Sequence, residues 1–384
     1  MIALLMLACN GCSCSNQETN INDLPIEEEE VFNNSWGKWL DMAHYSTGEP
    51  LLVYYDVSKG GLGLAVGALT EDGVKWSHNQ IDGYPNEQGL DEGDRGLYAS
   101  IVVDASDRIW LSYYDVNLKY LRYATKSIDE EEWTVGMADS GSGSSGHAGL
   151  WSSITLDGEG QPIIAHYDVN AGALRIAHYN GSGFSGEVVD EGEDYTPTGG
   201  SGGAEEDSIP ANVGEYASIA FNNGVEYIAY YDRAAGDLKI AWGVSGNYNI
   251  EAVDSEGNVG QWPSIITDGG TIHITYHDLD NNQLKIASGQ PGNWSFNVID
   301  KGEAIGADSD LIATSSGLQV VYHDAYNNDI KLATQNTDET WNTQTLAGAD
   351  GALGFHNALV EIDGSIYAAS YNFGEEVVWF SQVQ

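Results

Sequence analysis

One short pattern recurs seven times along this chain, and its internal spacing hardly varies. Each copy reads Gly, any residue, usually an aromatic, any residue, usually Ser, then an aliphatic, with Tyr/His-Tyr/His-Asp arriving 14 or 15 residues after the Ser slot. The Ser slots hold Asp41, Ser100, Ser153, Ser218, Ser264, Asp310 and Ala358; the acidic slots hold Asp56, Asp115, Asp168, Asp232, Asp278, Asp324 and Asn372. Beyond each acid come an aliphatic (Leu62, Leu121, Leu174, Leu238, Leu284, Ile330, Val378) and then a small residue (Ala65, Ala124, Ala177, Ala241, Ala287, Ala333, Ser381). Self-similarity at about 45 to 60 residues marks a repeat architecture, in which each unit buries its faces only against its neighbours. The 384 residues could hold two or three ordinary domains, but seven units account for nearly all of them, so one domain is expected.

Within each unit the apolar runs are short and rich in Ile, Val, Tyr, Trp and Thr, separated by Asp-Gly, Asn-Gly and Gly-Gly turns, with no helical periodicity. Four strands fit each unit: the first from the Ser slot, the second ending at the acid, the third from the aliphatic, and the fourth ending in Ile/Val-Asp, as at Trp294 to Asp300. The expected class is all-β, a seven-bladed β-propeller of four-stranded antiparallel blades over residues 29–384. The seventh unit stops after a third strand, and Glu28 to Phe32 lies where a fourth strand would pair with it, so the N- and C-terminal strands are expected to close the ring. A linear solenoid is the rival, but such arrays need atypical capping units.

Charge narrows the partners. Fourteen Lys+Arg against 58 Asp+Glu give a formal charge of −44, which excludes nucleic acid and disfavours polyanionic sugars. Five of the scarce cations, Arg122, Arg175, Lys239, Lys285 and Lys331, fill one repeat slot and read as structural partners of nearby acids. All three cysteines lie at positions 9, 12 and 14, so the repeat region holds no disulfide, thiolate metal site or Cys nucleophile.

Met1 to Ala8 is a short apolar run, too short to span a bilayer, that reads as the end of an export signal. The small residue before Cys9 resembles a bacterial lipoprotein signal, which implies cleavage before Cys9, a lipid on that thiol, and a tether through residues 15–28; plain secretion and an uncleaved apolar tail stay open. On that reading 1–14 is signal, and a lipid anchor is the only membrane contact expected. The protein is expected to be exported, outer-membrane-anchored or extracellular, and monomeric.

The pattern Tyr-Tyr-Asp, Leu-Lys-Ile/Tyr-Ala, then Trp and Val-Asp-Ser-x-Gly-x-Val-Gly, clearest from Tyr230 to Ser264, resembles propeller repeats of exported bacterial proteins of unassigned activity. Ser127-Ile128-Asp129 leading to Trp133, and Asp338-Glu339-Thr340-Trp341, also resemble degenerate sialidase-type Asp-boxes, though neither keeps the Gly. A sialidase resemblance implies three converging arginines; the chain has Arg95, Arg108, Arg122, Arg175 and Arg233, two of them in the repeated cationic slot.

The resemblance to propellers implies that the connections from fourth to next first strand share a face with the aromatic slots. Those slots hold Trp39, Tyr98, Trp151, Tyr216 and Trp262, then Asp308 and His356, and form the candidate ligand-binding set. Aromatic faces suit sugar rings or cations, while a repeated packing wedge between blades is the structural alternative. Departures from the repeat concentrate at Asp308, Asp310, His356 and Asp41, with His277 and His323 in place of Tyr. Asp41, Asp310 and Asp324 are the candidate metal set, calcium being the cofactor considered, and two acids with a His could equally form an acid/base group. Gly199 to Gly203 formally matches Gly-x-Ser-x-Gly but reads as loop, and Asp278 to Asn282 lacks the Gly and closing Glu of a calcium loop. The connections at Asp82 to Gly96, Ala138 to Gly149 and Asp190 to Gly214 are long and rich in Gly, Ser, Asp and Glu. These features predict a surface propeller binding a protein or neutral glycan through its loop-bearing face; the alternative is a hydrolase or lyase acting on neutral glycans.

Overall fold

The computed structural model describes residues 36–71, 73–84, 93–143, 146–194, 210–348 and 351–384, and every regular element among them is a β-strand. The first unit comprises β1 (Trp36–His44), β2 (Pro50–Asp56), β3 (Gly61–Thr70) and β4 (Gly73–Asp82), paired in chain order as an antiparallel meander. Every residue of β2 is buried, whereas β4 is exposed or half-buried along its length until its last residue, Asp82. The second strand is covered on both faces by neighbouring sheets and so reads as a continuous apolar run, while the fourth sits at the outer rim. Five further sheets repeat the 1-2-3-4 order, and the last contributes three described strands, Phe355–Ile362, Ser365–Asn372 and Val377–Gln382.

The ring closes on itself. Leu40 and Met42 of the first unit share one apolar cluster with Val360, Tyr371 and Val378 of the last. The repeated Gly shows how tightly successive units dock. At Gly149, φ is +111° and a Cβ would stand 2.7 Å from the Leu121 Cα of the preceding unit; at Gly37, φ is +119° and a Cβ would fall 2.3 Å from Val378 Cγ2. Only Gly meets both demands. The same contact that joins units two and three therefore joins the seventh to the first. The chain is a seven-bladed β-propeller. The proposed closing strand at 28–32, the signal and tether at 1–28, and the Gly199 to Gly203 match lie outside the described residues.

The acidic slot proves to be a turn cap. Asp115 Oδ1 accepts the Leu118 N–H at 2.8 Å, Asp232 Oδ1 that of Ala235 at 3.0 Å, Asp324 Oδ1 that of Asn327 at 3.1 Å, and Asn372 Oδ1 that of Gly374 at 3.0 Å. Asp278 does the same for Asn281 at 3.0 Å. An Asp232→Ala change is expected to cost about 1 kcal/mol, read as a lowered urea midpoint with an unchanged slope.

The repeated cation binds across the blade junction. Lys285 Nζ meets Asp254 Oδ2 at 2.5 Å, and Tyr276 donates its hydroxyl to the same oxygen at 2.7 Å. Asp254 ends the fourth strand of one blade; Tyr276 and Lys285 lie on the second and third strands of the next. The set recurs as Asp82–Tyr113–Arg122, Asp139–His166–Arg175, Asp190–Tyr230–Lys239 and Asp300–Tyr322–Lys331. Between blades six and seven all three members change together, to Ala347, Ser370 and Trp379, and Ala347 and Trp379 pack against an apolar cluster instead.

Candidate functional site

First strands begin well before the Ser slot, where sequence alone started them. The first strand of blade three runs Ala148–Leu156 with Ser153 as its sixth residue, because the chain enters the sheet at the repeated Gly and then bulges. In blade one the pairing slips between Lys38 and Asp41, and the equivalent slip recurs in the others. At each slip one residue takes a left-handed backbone: Trp39 (φ 48°), Tyr98 (55°), Trp151 (49°), Tyr216 (57°), Trp262 (48°), Asp308 (48°) and His356 (52°). That conformation costs an L-residue roughly 1–2 kcal/mol and favours Gly, Asn, Asp and His, yet five of the seven are Trp or Tyr. A sequence pattern does not reveal this, since bulky aromatics are the wrong residues for a positive φ.

The bulge turns all seven side chains into one collar around the mouth of the central channel. Ring centroids stand 5.4 Å apart for Trp39–Tyr98 and Tyr98–Trp151, 5.0 Å for Trp151–Tyr216 and Tyr216–Trp262, and 5.2 Å for Trp39–His356. Asp308 interrupts the aromatic run between Trp262 and His356. Each collar residue is half-buried, and together with the residue after each they line a depression of about 190 Å³. Three of those following residues pin the preceding blade's collar carbonyl: Ser152 Oγ donates to Tyr98 O at 2.7 Å, Ser309 Oγ to Trp262 O at 3.2 Å, and Asn357 Nδ2 to Asp308 O at 2.9 Å. The second aromatic of the Tyr-Tyr-Asp slot holds the connection above. Tyr55 donates to Asp94 at 2.7 Å, Tyr167 to Asn212 and Tyr231 to Asn258, both at 2.8 Å. Where that Tyr becomes His277 or His323, the corresponding connection residue is Ala304 or Ala352; both nitrogens of His277 and Nε2 of His323 are buried without a hydrogen-bond partner. Burial lowers both imidazoles below their ordinary range, His323 to about 4.

Beneath the collar, the Ser slots form a second ring. Ser100 Oγ accepts Ile154 N–H at 3.3 Å, Ser153 accepts Ile219 at 3.2 Å, Ser218 accepts Ile265 at 3.2 Å, and Ser264 accepts Leu311 at 3.1 Å, each from the next blade. Asp41 and Asp310 play the same part with carboxylates, taking Ile101 N–H at 3.0 Å and Leu359 N–H at 2.8 Å. Ala358 cannot continue the chain of acceptors to Met42, and Asp41 Oδ1 takes that N–H itself at 2.7 Å. The two acids thus flank the blade whose Ser slot is empty of oxygen.

Burial raises Asp41 above the usual carboxylate range, and burial together with the charge of Asp41 pushes Asp310 up to about 7. Burial pushes Asp308 up to about 6 against one hydrogen bond from the His356 backbone, and burial followed by the charge of Lys38 pulls His356 down to about 4. Of the sequence candidates, Asp308 and His356 line the depression with the five aromatics. Asp310 and Asp41 lie in the ring of staples, and Asp324 caps its own turn. Among the described residues no group of three or more His, Cys, Asp or Glu is placed to hold a metal ion.

No protein-family model matches the chain, and no curated protein sequence matches it. Its fold is similar to that of a Hadza microbial sialidase, Hz136 (TM-score 0.50, 10% identity, 91% of this chain and 66% of that one). It is likewise similar to a prolyl endopeptidase (TM-score 0.53, 9% identity, 91% of this chain and 50% of that one) and to the polysaccharide lyase Uly1 (TM-score 0.50, 10% identity, 88% of each chain). This chain spans about two thirds of the sialidase chain and half of the endopeptidase chain. Three chemistries on one architecture show the fold and leave the activity to the site. A sialidase-type clamp finds no free guanidinium here. Arg95 and Arg122 bind Asp82, Arg175 binds Asp139, Arg108 binds Glu130, and Arg233 binds Glu215.

Proposed function

We propose that this protein is a non-catalytic, exported binding propeller whose collar face takes the terminal ring of a neutral glycan. The observation that carries the reading is the collar itself: five aromatic rings, one carboxyl and one imidazole, all half-buried around one shallow depression. At about 190 Å³ it falls below the ~300–1,000 Å³ typical of small-molecule pockets, so it suits one ring rather than an extended ligand. Ring-to-ring contacts contribute about 0.5–1.5 kcal/mol each. The left-handed backbone costs a similar amount per residue. Mutual packing therefore offsets the strain without explaining why aromatics stand there, and ligand contact supplies the missing reason. Asp308 can accept hydroxyl hydrogen bonds, and with a charge of −44 around it the face suits neutral rather than anionic sugars.

Titration calorimetry against glycans selected from an array is expected to give binding that Trp151→Ala and Trp262→Ala each weaken by about 30-fold or more. Unchanged affinity in both variants would remove the collar as the binding surface.

One observation favours a hydrolase or lyase instead: Asp308, raised to about 6, lies in the range that suits a general acid at near-neutral pH. Asp310 does not join it at the depression, which leaves it without a carboxylate partner there. Turnover of a neutral glycan that Asp308→Asn abolishes would establish the catalytic reading over the binding one.

A further inference from the structure

Two junctions, between blades three and four and between four and five, are strutted on the face away from the collar. Glu187, on the fourth strand of blade three, accepts the Gly246 N–H of the next blade's hairpin at 3.1 Å. Glu251, in the same slot of blade four, accepts Gly292 N–H at 2.8 Å and the Trp294 indole N–H at 2.6 Å. Cross-strand register puts Asn297 in that slot in blade five, since Glu187, Glu251 and Asn297 pair with Ile176, Ile240 and Ile286. Asn297 reaches blade six only through a long 3.5 Å contact to Glu339 O. Trp341, which stands where blade five has Trp294, has its indole N–H buried with no hydrogen-bond partner. This junction, which carries no such strut, holds a cleft of about 530 Å³.

One wall of this cleft is a polar column on blade five, His273, Ser288 and Ser295 paired side by side, with Asn297 below and Gln335 of blade six opposite. Its volume lies within the ~300–1,000 Å³ of ordinary ligand pockets. Hydroxyl, amide and imidazole groups both donate and accept, and no Lys or Arg lines the cleft to hold a phosphate or carboxylate. Ile286, an apolar member of the lining, packs in one apolar cluster with Trp341. We infer that the cleft between blades five and six is a second ligand site, taking a neutral hydroxyl-rich molecule of about disaccharide size. The inference stands independently of the collar, on the opposite face. A chain carrying both sites could bridge two glycans.

The test uses the full protein, ¹⁵N-labelled at Trp indoles and titrated with lactose, maltose and cellobiose. At least one sugar is expected to shift the Trp341 indole resonance, assigned by its disappearance in Trp341→Phe, with a dissociation constant of about 1 mM or tighter. Asn297→Glu restores the strut and is expected to weaken that response at least tenfold. Ser295→Arg, at an exposed position, fills the cleft and is expected to do the same if the Glu variant fails to fold. Trp151→Ala, at the collar, is expected to leave it intact, so failure of the cleft and failure of the collar are read separately. No shift with any of the three sugars, or an equal shift in Asn297→Glu and Ser295→Arg, overturns the proposal.

Discussion

Asp254→Ala is expected to destabilise the protein by about 2–4 kcal/mol at neutral pH. The carboxylate is buried between two blades, and its loss strands the Tyr276 hydroxyl, which is fully buried, and leaves the Lys285 ammonium with one ion pair, to Asp278 at 3.7 Å, and the faces of Tyr276 and Phe296. Breaking a buried pair on one side costs about 3–5 kcal/mol, and the residual Asp278 contact lowers the figure. Replacing the whole set is expected to be milder. Asp254→Ala combined with Tyr276→Phe and Lys285→Met should recover at least half of the loss, because no charge is then left without a partner. The protein already holds this solution between blades six and seven, where Ala347, Ser370 and Trp379 stand in the three slots. The single variant's deficit should also shrink in acid. Against the desolvation of its burial, hydrogen bonds from Lys285 and Tyr276 hold Asp254 below its ordinary value of 3.8. Its contribution is therefore present at neutral pH and is lost as pH falls through the folded value. Urea denaturation of the three proteins at pH 7 and pH 3.5 measures all of this. A triple variant as unstable as the sum of its parts would show that each contact acts alone.

The repeat exposed nearly every determinant of the fold because each motif position answers the same packing demand in most of the blades. The Gly is read through the blade behind it, the acid through its turn, and the cation through the preceding blade's terminal Asp. That last pairing was legible in part: the sequence showed a cationic slot and a strand ending in Asp, but joining them needs the knowledge that consecutive sheets lie face to face. The site was less legible for physical reasons. Trp39 and its counterparts are visible as aromatics at fixed spacing, but the left-handed bulge that turns them inward runs against their intrinsic preferences. Asp310 looked like a possible ligand to a cation, whereas its oxygens are occupied by Ser264 Oγ at 3.1 Å and by the N–H groups of Leu311 and Leu359. Asn297 carries no such signal, because the same fourth-strand slot holds Asn79, Gly136 and Gln344 in other blades, and only the volume of the junction sets blade five apart.

Asp310→Ser is expected to stabilise the protein at pH 8 and to lose that advantage in acid. Ser serves this slot in blades two to five, so the substitution keeps an acceptor for the Leu359 N–H while removing a charge from the channel. Burial and the neighbouring charge of Asp41 raise the carboxyl from 3.8 to about 7. The folded state therefore holds a proton that the unfolded chain has released throughout the interval between those values, and stability falls as pH rises across it. A rise of that size corresponds to about 4 kcal/mol. Asp310 is only half-buried, so solvent screens part of it, and the Ser264 hydroxyl loses its carboxylate acceptor at a cost of about 1 kcal/mol. The expected gain is about 1–3 kcal/mol at pH 8, declining through zero between pH 7 and pH 4.5, where the variant becomes the less stable protein. Self-repulsion of the acidic chain, −44 before the substitution and one charge less after it, nearly cancels in the difference. Paired urea titrations at pH 4.5, 6 and 8 decide the matter: a difference that does not change with pH would mean that Asp310 ionises in the channel as freely as in water, and that its three hydrogen bonds fully offset the burial of its charge.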